Sequence, residues 1–450
     1  MLIEFSFSNY LSFKESTTLS FKPGKGRNLN EQIIKPEDRK DIKALKAALI
    51  FGANASGKSN FIKAMFFAQK LILKGGIDPV FSENRKVFRF DEEYKHKPSE
   101  FSFVFKKDQR VFDYSIKIDE KFIIEEKLIE IKKKSEDLIF HRNTNTEGKV
   151  SVRFDDFRFK SKEDKKRIEY IAKDTLSEKL FLYELNTRNL IELGNSELFT
   201  LPFQWFRENL IILFPESTFL GLELKIKENQ DIEKLFTNFL EYFDTGISGI
   251  EIQEIEIEKL KEKVSLEVYN KILEEIQTKD KIILNLSNSL RYAIAREEGL
   301  LKSFKLMTKH SSGLEKEVLF DFSEESDGTR RLFDLIPGLL SIRNLDRTIV
   351  IDEIDRSLHP ILTRKLLELF FEVSQNNESQ LITCTHESIL LDQKLLRKDE
   401  VWFVEKNNLG ESSIYSLEEF PERYDKDIQK GYLLGRFGAV AAIHKKKLVV

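Results

Sequence analysis

The chain has 450 residues, of which 41% are hydrophobic and 33% charged, with a net charge of −3. That composition supports two or three packed units and gives no support for a protein that coats nucleic acid through its overall field, though a local basic patch is compatible with it. A single cysteine, Cys384, excludes an intrachain disulfide and a cysteine-based zinc site and fits a reducing compartment, so a cytoplasmic location is expected.

The opening residues 1–13 lack a basic stretch followed by an apolar core and do not read as a signal peptide. No apolar run approaches the ~20 residues needed to span a bilayer. Weak alternation over 2–7 and an apolar piece at 19–21 predict short strands, and the polar stretch 23–40 reads as a surface loop. Residues 46–51 form a buried-type strand that runs into a glycine-rich turn, followed by helical periodicity over 61–73. From 87 to 130 the pattern alternates through Phe101, Phe103, Phe105, Phe112, Tyr114, Ile116 and Ile118, which predicts antiparallel sheet with turns near Asp108 and Asp119. Residues 160–277 read as mainly helical and highly charged, with helical spacing at 168–186 and 232–243 and a strand-like alternation at 250–257. Short strands return from 281, and helix alternates with strand from 326 onward. The expected organisation is an N-terminal part at 1–155, a mainly helical insertion at 156–280 and a C-terminal part at 281–450, the two ends forming one domain.

The strongest motif is Gly52-Ala53-Asn54-Ala55-Ser56-Gly57-Lys58-Ser59, followed by Asn60. It matches GxxxxGK[ST] between a strand and a helix, as phosphate binding requires. Glycines let backbone N–H groups wrap phosphate oxygens, and the helix presents its positive end to the same anion. In such a loop Lys58 would reach the β- and γ-phosphates of ATP and Ser59 would ligate Mg²⁺. A chance glycine-rich turn is the bland alternative, and the flanking strand and helix count against it.

A second element is the apolar strand 347–351 ending in Asp352 and Glu353. Asp352 would hold Mg²⁺ and Glu353 would orient or deprotonate the attacking water. Taken alone, the pair fits a buried strand with ordinary surface acids equally well. The phosphate loop upstream favours the magnesium reading. The strand 381–385 ends at His386, which would sense the γ-phosphate or serve as a structural histidine. In Glu325-Ser326-Asp327-Gly328-Thr329-Arg330-Arg331-Leu332, Ser326 or Thr329 would cap an apolar helix, whose start is either that cap alone or a second anion site.

In order, the phosphate loop, the Ser-x-Gly-Thr helix start, the Asp-Glu strand, Ser357-Leu358-His359-Pro360 and the strand with His386 resemble ABC ATPase heads. The opening Phe7-Ser8-Asn9-Tyr10-Leu11-Ser12-Phe13 is similar to the start of the SMC/RecF/OLD branch. Residues 324–332 and the tail Tyr432-Leu433-Leu434-Gly435-Arg436-Phe437-Gly438-Ala439 resemble the stand-alone bacterial ATPases of phage-defence and abortive-infection operons. The resemblance covers both ends and leaves the helical middle largely unmatched. It implies an α/β ABC-type head with an antiparallel β subdomain, a mostly parallel P-loop sheet and a helical insertion. It further implies that Ser326, Gly328 and Thr329 form a signature acting in trans on another subunit's nucleotide, and that Asp355 and Ser357 belong to a D-loop at the same homodimer or higher-order interface. The signature departs from LSGGQ in lacking its leucine and first glycine, and Gln109, in a lysine-rich turn, is not an assured Q-loop residue.

The function so implied is an ATP-hydrolysing switch that controls a separately encoded toxin or nuclease in antiviral defence, without a membrane. A RecF-like DNA-repair ATPase is the alternative, and salt-dependent DNA binding would mark it. A transporter subunit is disfavoured by the N-terminal start and the long insertion. Lysine-rich runs at 132–134, 160–166 and 445–447 read as solvated. Asp425-Lys426-Asp427 follows a turn-like segment and reads as surface rather than as a nuclease motif. Too few residues follow His386 for an independent domain, and His141 and His310 are the histidines of the middle, so the effector is expected to be another protein docking within 160–310.

Overall fold

The computed structural model describes residues 1–26, 28–77, 85–154, 161–188, 194–219, 221–262, 264–285, 291–297, 299–311, 316–343, 345–421 and 427–440. The chain divides into two compact units. One comprises Met1–Phe214, Ile342–Ile354 and Leu367–Val450, the other Pro215–Ser341 and Asp355–Leu366.

The first unit opens with β1 (Leu2–Ser8) and β2 (Thr17–Ser20), a small pair β3 (Ile33–Ile34) and β4 (Ala44–Leu45), and then β5 (Ala47–Phe51). A meander follows: β6 (Ser99–Lys107), β7 (Arg110–Ile118), β8 (Ile123–Ile131), β9 (Glu136–Thr144) and β10 (Val150–Arg153). These build an antiparallel seven-stranded sheet of order β10-β9-β8-β7-β6-β1-β2. Period-two alternation sends one face inward, so Phe101, Phe103 and Phe105 are buried while Ser102 between them is not. The tight β6–β7 turn puts Asp108 at φ 51, a left-handed conformation that aspartate tolerates.

The abundant phenylalanine fills this face. Phe5 lies 4.6 Å from Phe103, Phe105 stacks on Trp205 at 4.3 Å, and Phe7 meets Phe61 edge-on at 5.5 Å. Phe61 belongs to the helix Lys58–Lys74, so that helix shares one core with the antiparallel sheet. The helices Lys162–Asp174, Phe181–Thr187 and Glu197–Gln204 pack into the same core through Ile168, Phe181 and Phe199. The buried Glu126 carboxylate accepts the N–H groups of Phe181 at 2.6 Å and Leu182 at 3.0 Å, satisfying donors at the start of the second of these helices. Burial pushes that carboxyl up, against the opposing pull of the Arg142 guanidinium.

The second sheet of this unit contains β11 (Leu210–Leu213), β17 (Thr348–Ile351), β18 (Gln380–Thr385), β19 (Val401–Lys406) and β20 (Ser412–Ser416), in the order β11-β17-β18-β5-β19-β20. All its pairings are parallel except β19 with β20. Its inner strands read as unbroken apolar runs because both faces are covered, as parallel sheets require. Strand β11 is an element that the reading of 160–277, mainly helical with a strand-like run at 250–257, did not contain. The run Leu210-Ile211-Ile212-Leu213 pairs with β17 from Leu210↔Thr348 to Leu213↔Ile351 and forms the edge of the phosphate-loop sheet.

The other unit holds β12 (Ile247–Glu256), β13 (Lys281–Asn285), β14 (Arg291–Glu297), β15 (Leu300–Ser311) and β16 (Glu317–Asp321). They form a sheet of order β12-β15-β14-β13, with β16 also on β15. Helix Gln230–Tyr242 is capped by Asn229, whose side chain accepts the Asp231 N–H at 2.9 Å, and it buries Phe236 against Phe333 of helix Asp327–Ser341. The chain is thus α/β, with an antiparallel sheet, a mostly parallel sheet and a further helical and stranded unit. Among the described residues no helix is long and apolar enough to cross a membrane.

Candidate functional site

Strands β5, β17 and β18 are neighbours in the parallel sheet, with Thr385 opposite Phe51 and Ile351 opposite Thr383. Their carboxyl ends therefore release three adjacent loops, at 52–57, 352–354 and 386–387. In open α/β sheets ligands bind at such strand ends.

The first loop is shaped for an anion. Ala55 at φ 60 and Gly57 at φ 121 give the loop the positive-φ turns from which anion-binding backbone concavities are built. Both glycines are sterically required. A Cβ on Gly52 would sit 2.4 Å from Val404 O, and one on Gly57 would sit 2.5 Å from Ser412 Oγ. The Lys58 side chain is buried and curls over the loop, donating to Gly52 O at 2.7 Å and Ala53 O at 3.0 Å. Ser56 is buried and its hydroxyl has no hydrogen-bond partner among the described residues, while Asn54 and Ala55 stand exposed at the tip. A buried hydroxyl and a buried lysine in a glycine-rich loop at a helix start suit the oxygens of a polyphosphate.

Ser59 joins this loop to the acid strand. Its Oγ donates to Asp352 Oδ1 at 3.1 Å, across 293 positions of sequence. Asp352 is buried, and its own N–H reaches Leu213 O at 2.9 Å, so β11 helps fix the turn. One hydroxyl and one carboxylate suit a magnesium ion that takes its other oxygens from phosphate and water. Among the described residues, no group of three or more His, Cys, Asp or Glu side chains is arranged to hold a metal unaided.

Glu353 follows at φ 51, an uncommon conformation for a non-glycine residue and one that recurs at functional sites. The next residue holds the turn in place, with Ile354 N donating to Cys384 O at 3.1 Å in β18. His386 leaves the end of β18 exposed to solvent, just before Glu387 N bonds Thr385 Oγ1 at 3.0 Å.

A second set of residues braces the loop, and no motif announced its members together. Ser412 Oγ lies 2.5 Å from Ser56 O and 2.8 Å from Ser12 Oγ, and Asn60 Nδ2 donates to Ser12 Oγ at 2.9 Å. Ser12 belongs to the N-terminal motif, but Ser412 lies in an unremarked strand. Nearby, the Tyr432 ring stacks on Phe403 at 5.6 Å and meets Phe51, the last residue of β5, at 6.0 Å. Phe437 stacks on Phe403 from the same tail, at 5.7 Å. The tail residues singled out in the sequence therefore pack at the root of the phosphate loop.

The remaining site residues lie in the second unit. Ser326 caps helix Asp327–Ser341, accepting the Thr329 N–H at 3.1 Å, and its hydroxyl lies 2.9 Å from Thr329 Oγ1. Gly328 lacks a side chain where a Cβ would fall 2.7 Å from Ser357 O, so the 355–359 turn, with Ser357 at φ 62, docks on this helix start. A cavity of about 250 Å³ opens there, lined by Asp327, Arg330, Arg331, Arg356 and Ser357 among others. Glu325, just before the cap, is held by Thr308 Oγ1 at 2.5 Å and His310 Nε2 at 2.7 Å. Pro360 opens helix Pro360–Val373. Gln109 lies in the β6–β7 turn, and Asp427 caps a short helix by accepting the Lys430 N–H at 2.8 Å. Lys132, Lys133 and Lys134 are exposed, as a solvated run should be. Asp425, Lys426, Lys160 and the run 445–447 lie outside the described residues.

A glycine-rich loop on a parallel sheet, an adjacent Asp-Glu strand and an antiparallel sheet sharing its core define an ABC/SMC-like P-loop ATPase head. The chain belongs to the family described as "AAA domain, putative AbiEii toxin, Type IV TA system", whose model matches residues 47–392. No curated protein matches the chain. Among solved structures it is similar to an SMC head bound to the C-winged helix domain of ScpA, at 15% identity and TM-score 0.45, covering 94% of this chain and 99% of that one. It is also similar to the SMC head domain from Thermotoga maritima, at 16% identity and TM-score 0.37 over 92% and 98% of the two chains. A third similar structure is an SMC head with an extended coiled coil bound to the C-terminal domain of ScpA derived from Pyrococcus furiosus, at 14% identity and TM-score 0.37 over 96% and 99%.

Proposed function

We propose that this chain hydrolyses ATP and uses the cycle as a switch in an abortive-infection or antiphage system. The observation that carries the reading is the Ser59–Asp352 contact of 3.1 Å, which brings the phosphate loop and the acid strand to one point. Here the N–H groups of residues 52–59 hold the phosphates, and Lys58 swings from its carbonyl partners to the β- and γ-oxygens. Ser59 and Asp352 hold magnesium, which when bound offsets charge on those oxygens. Glu353 takes the proton of the attacking water as general base, and His386 positions that water against the γ-phosphate.

Two copies complete each site in this reading. Ser326, Gly328 and Thr329 present a capped helix start to the partner's nucleotide, and Asp355 and Ser357 line the same interface. The dimer closes on ATP and reopens after hydrolysis. The family description names a toxin–antitoxin system, which supports a role in defence. The output is delivered by a separately encoded toxin or nuclease that docks within residues 160–310 in the cytoplasm, with an affinity that differs between nucleotide states.

The test uses the purified chain alone. It should turn over ATP in Mg²⁺ and leave DNA and RNA intact in Mg²⁺ or Mn²⁺. Robust nucleic-acid cleavage that survives Glu353→Gln and repeated purification would show an intrinsic effector and overturn the switch reading.

A further inference from the structure

The parallel sheet has two ends, and the phosphate loop occupies only the carboxyl end. At the other, the amino ends of β11, β17 and β18 meet the β6–β7 turn around a cavity of about 500 Å³. Leu210 pairs with Thr348, and Thr348 with Gln380. Asn209, Arg347 and Ser379, one step earlier, therefore open the three strands side by side. The residues that line the cavity all belong to one compact unit. At the usual rise of a strand, Arg347 lies roughly 16 Å from Asp352, so this cavity is separate from the phosphate loop.

Two polar atoms of residues in its wall call for a partner. Arg347 Nε and Asn209 Oδ1 are buried, and neither has a hydrogen-bond partner among the described residues. Both are held in place. Asn209 Nδ2 donates to Asp346 O at 2.5 Å, which fixes the orientation of the amide. Arg347 N donates to Ser379 Oγ at 3.1 Å, and Arg347 O accepts the Gln380 N–H at 2.8 Å. A cationic donor and a carbonyl acceptor thus stand next to each other.

The charges around them have both signs. Lys106 is buried and already paired with Glu378 at 2.8 Å and Asp38 at 3.1 Å. That leaves Arg347 and Lys107 facing a cavity that Asp108, Glu208 and Asp346 also line. A simple anion such as phosphate would meet those carboxylates with nothing to offer them, and a simple cation would meet Arg347 in the same way. A small molecule with one charge of each sign satisfies both.

We propose that this cavity binds a free α-amino acid. Its carboxylate lies on the Arg347 guanidinium beside Lys107, and its ammonium donates to Asn209 Oδ1 and faces the Asp346 and Glu208 carboxylates. Binding here does not depend on ATP.

Calorimetry of the full chain against each of the twenty standard amino acids should find at least one that saturates a single site, with ATP present or absent. Converting its carboxylate to the amide, or its amine to the N-acetyl derivative, should each weaken binding by about ten- to one-hundred-fold. Arg347→Met should do the same while the circular dichroism spectrum stays native. Absence of binding by all twenty overturns the proposal. So does native affinity for the bound amino acid in Arg347→Met or for its amide, and so does its displacement by ATP, which would place it at the phosphate loop.

Discussion

Ser12 and Ser412 stand 400 positions apart in the chain, and their hydroxyl oxygens lie 2.8 Å from each other beneath the phosphate loop. Each hydroxyl has one proton, so the contacts order themselves into a relay. Asn60 donates to Ser12, Ser12 to Ser412, and Ser412 to Ser56 O. The relay fixes the peptide that joins Ser56 to Gly57. The N-terminal turn and the β20 strand thereby hold the loop from behind.

Removing one member should loosen the loop without touching a phosphate. Ser412→Ala leaves two buried polar groups short of a partner, a loss of ~1–3 kcal/mol. The expected outcome is ATP affinity reduced about tenfold with the fold retained, read by calorimetry and circular dichroism. Unchanged affinity would show that the relay does not support the loop.

Asp352→Asn should change the magnesium requirement before anything else. The carboxylate meets Ser59 and, acting directly or through water, sets metal affinity by about 10–100-fold. A titration of ATPase activity against Mg²⁺ should shift to higher concentration by that factor. An unshifted titration removes Asp352 from the metal site.

The proposed sharing of sites between copies can be tested by mixing. Lys58→Ala disables the phosphate loop and Ser326→Arg disables the helix start, so each homodimer should be inactive. A mixed dimer has one intact composite site and should recover a fraction of native turnover. Confirmed heterodimers without recovered activity would rule out the trans arrangement.

Much of this site was legible because its parts are local. Residues 52–59 need only a strand, a turn and a helix in sequence, and the acids of β17 need only an apolar run before them. The cap by Ser326 was legible as one of two candidates, since a serine before an apolar helix has few other uses. What stayed hidden depends on distant pairing. Ser412 is one polar residue among several at the start of β20, and nothing nearby shows that Ser12 meets it. Strand β11 is four residues long inside a charged stretch, where a short apolar run cannot be told from a helix turn until β17 pairs with it. The start of the stretch 87–130, read from its alternation as sheet, instead holds Phe90 and the short helix Glu92–His96 ahead of β6, and nothing local shows that Gly410 lies beneath the Phe90 ring.

The central claim is that this chain hydrolyses ATP with Glu353 as the base, and one substitution addresses it most directly. Glu353 sits at φ 51, beside the Asp352 that meets Ser59. Glu353→Gln keeps the shape of the side chain and removes its ability to accept a proton. Single-turnover and steady-state ATPase assays should show ATP bound with near-native affinity and turnover reduced by on the order of 10²–10⁴. Near-native turnover in Glu353→Gln would contradict the account.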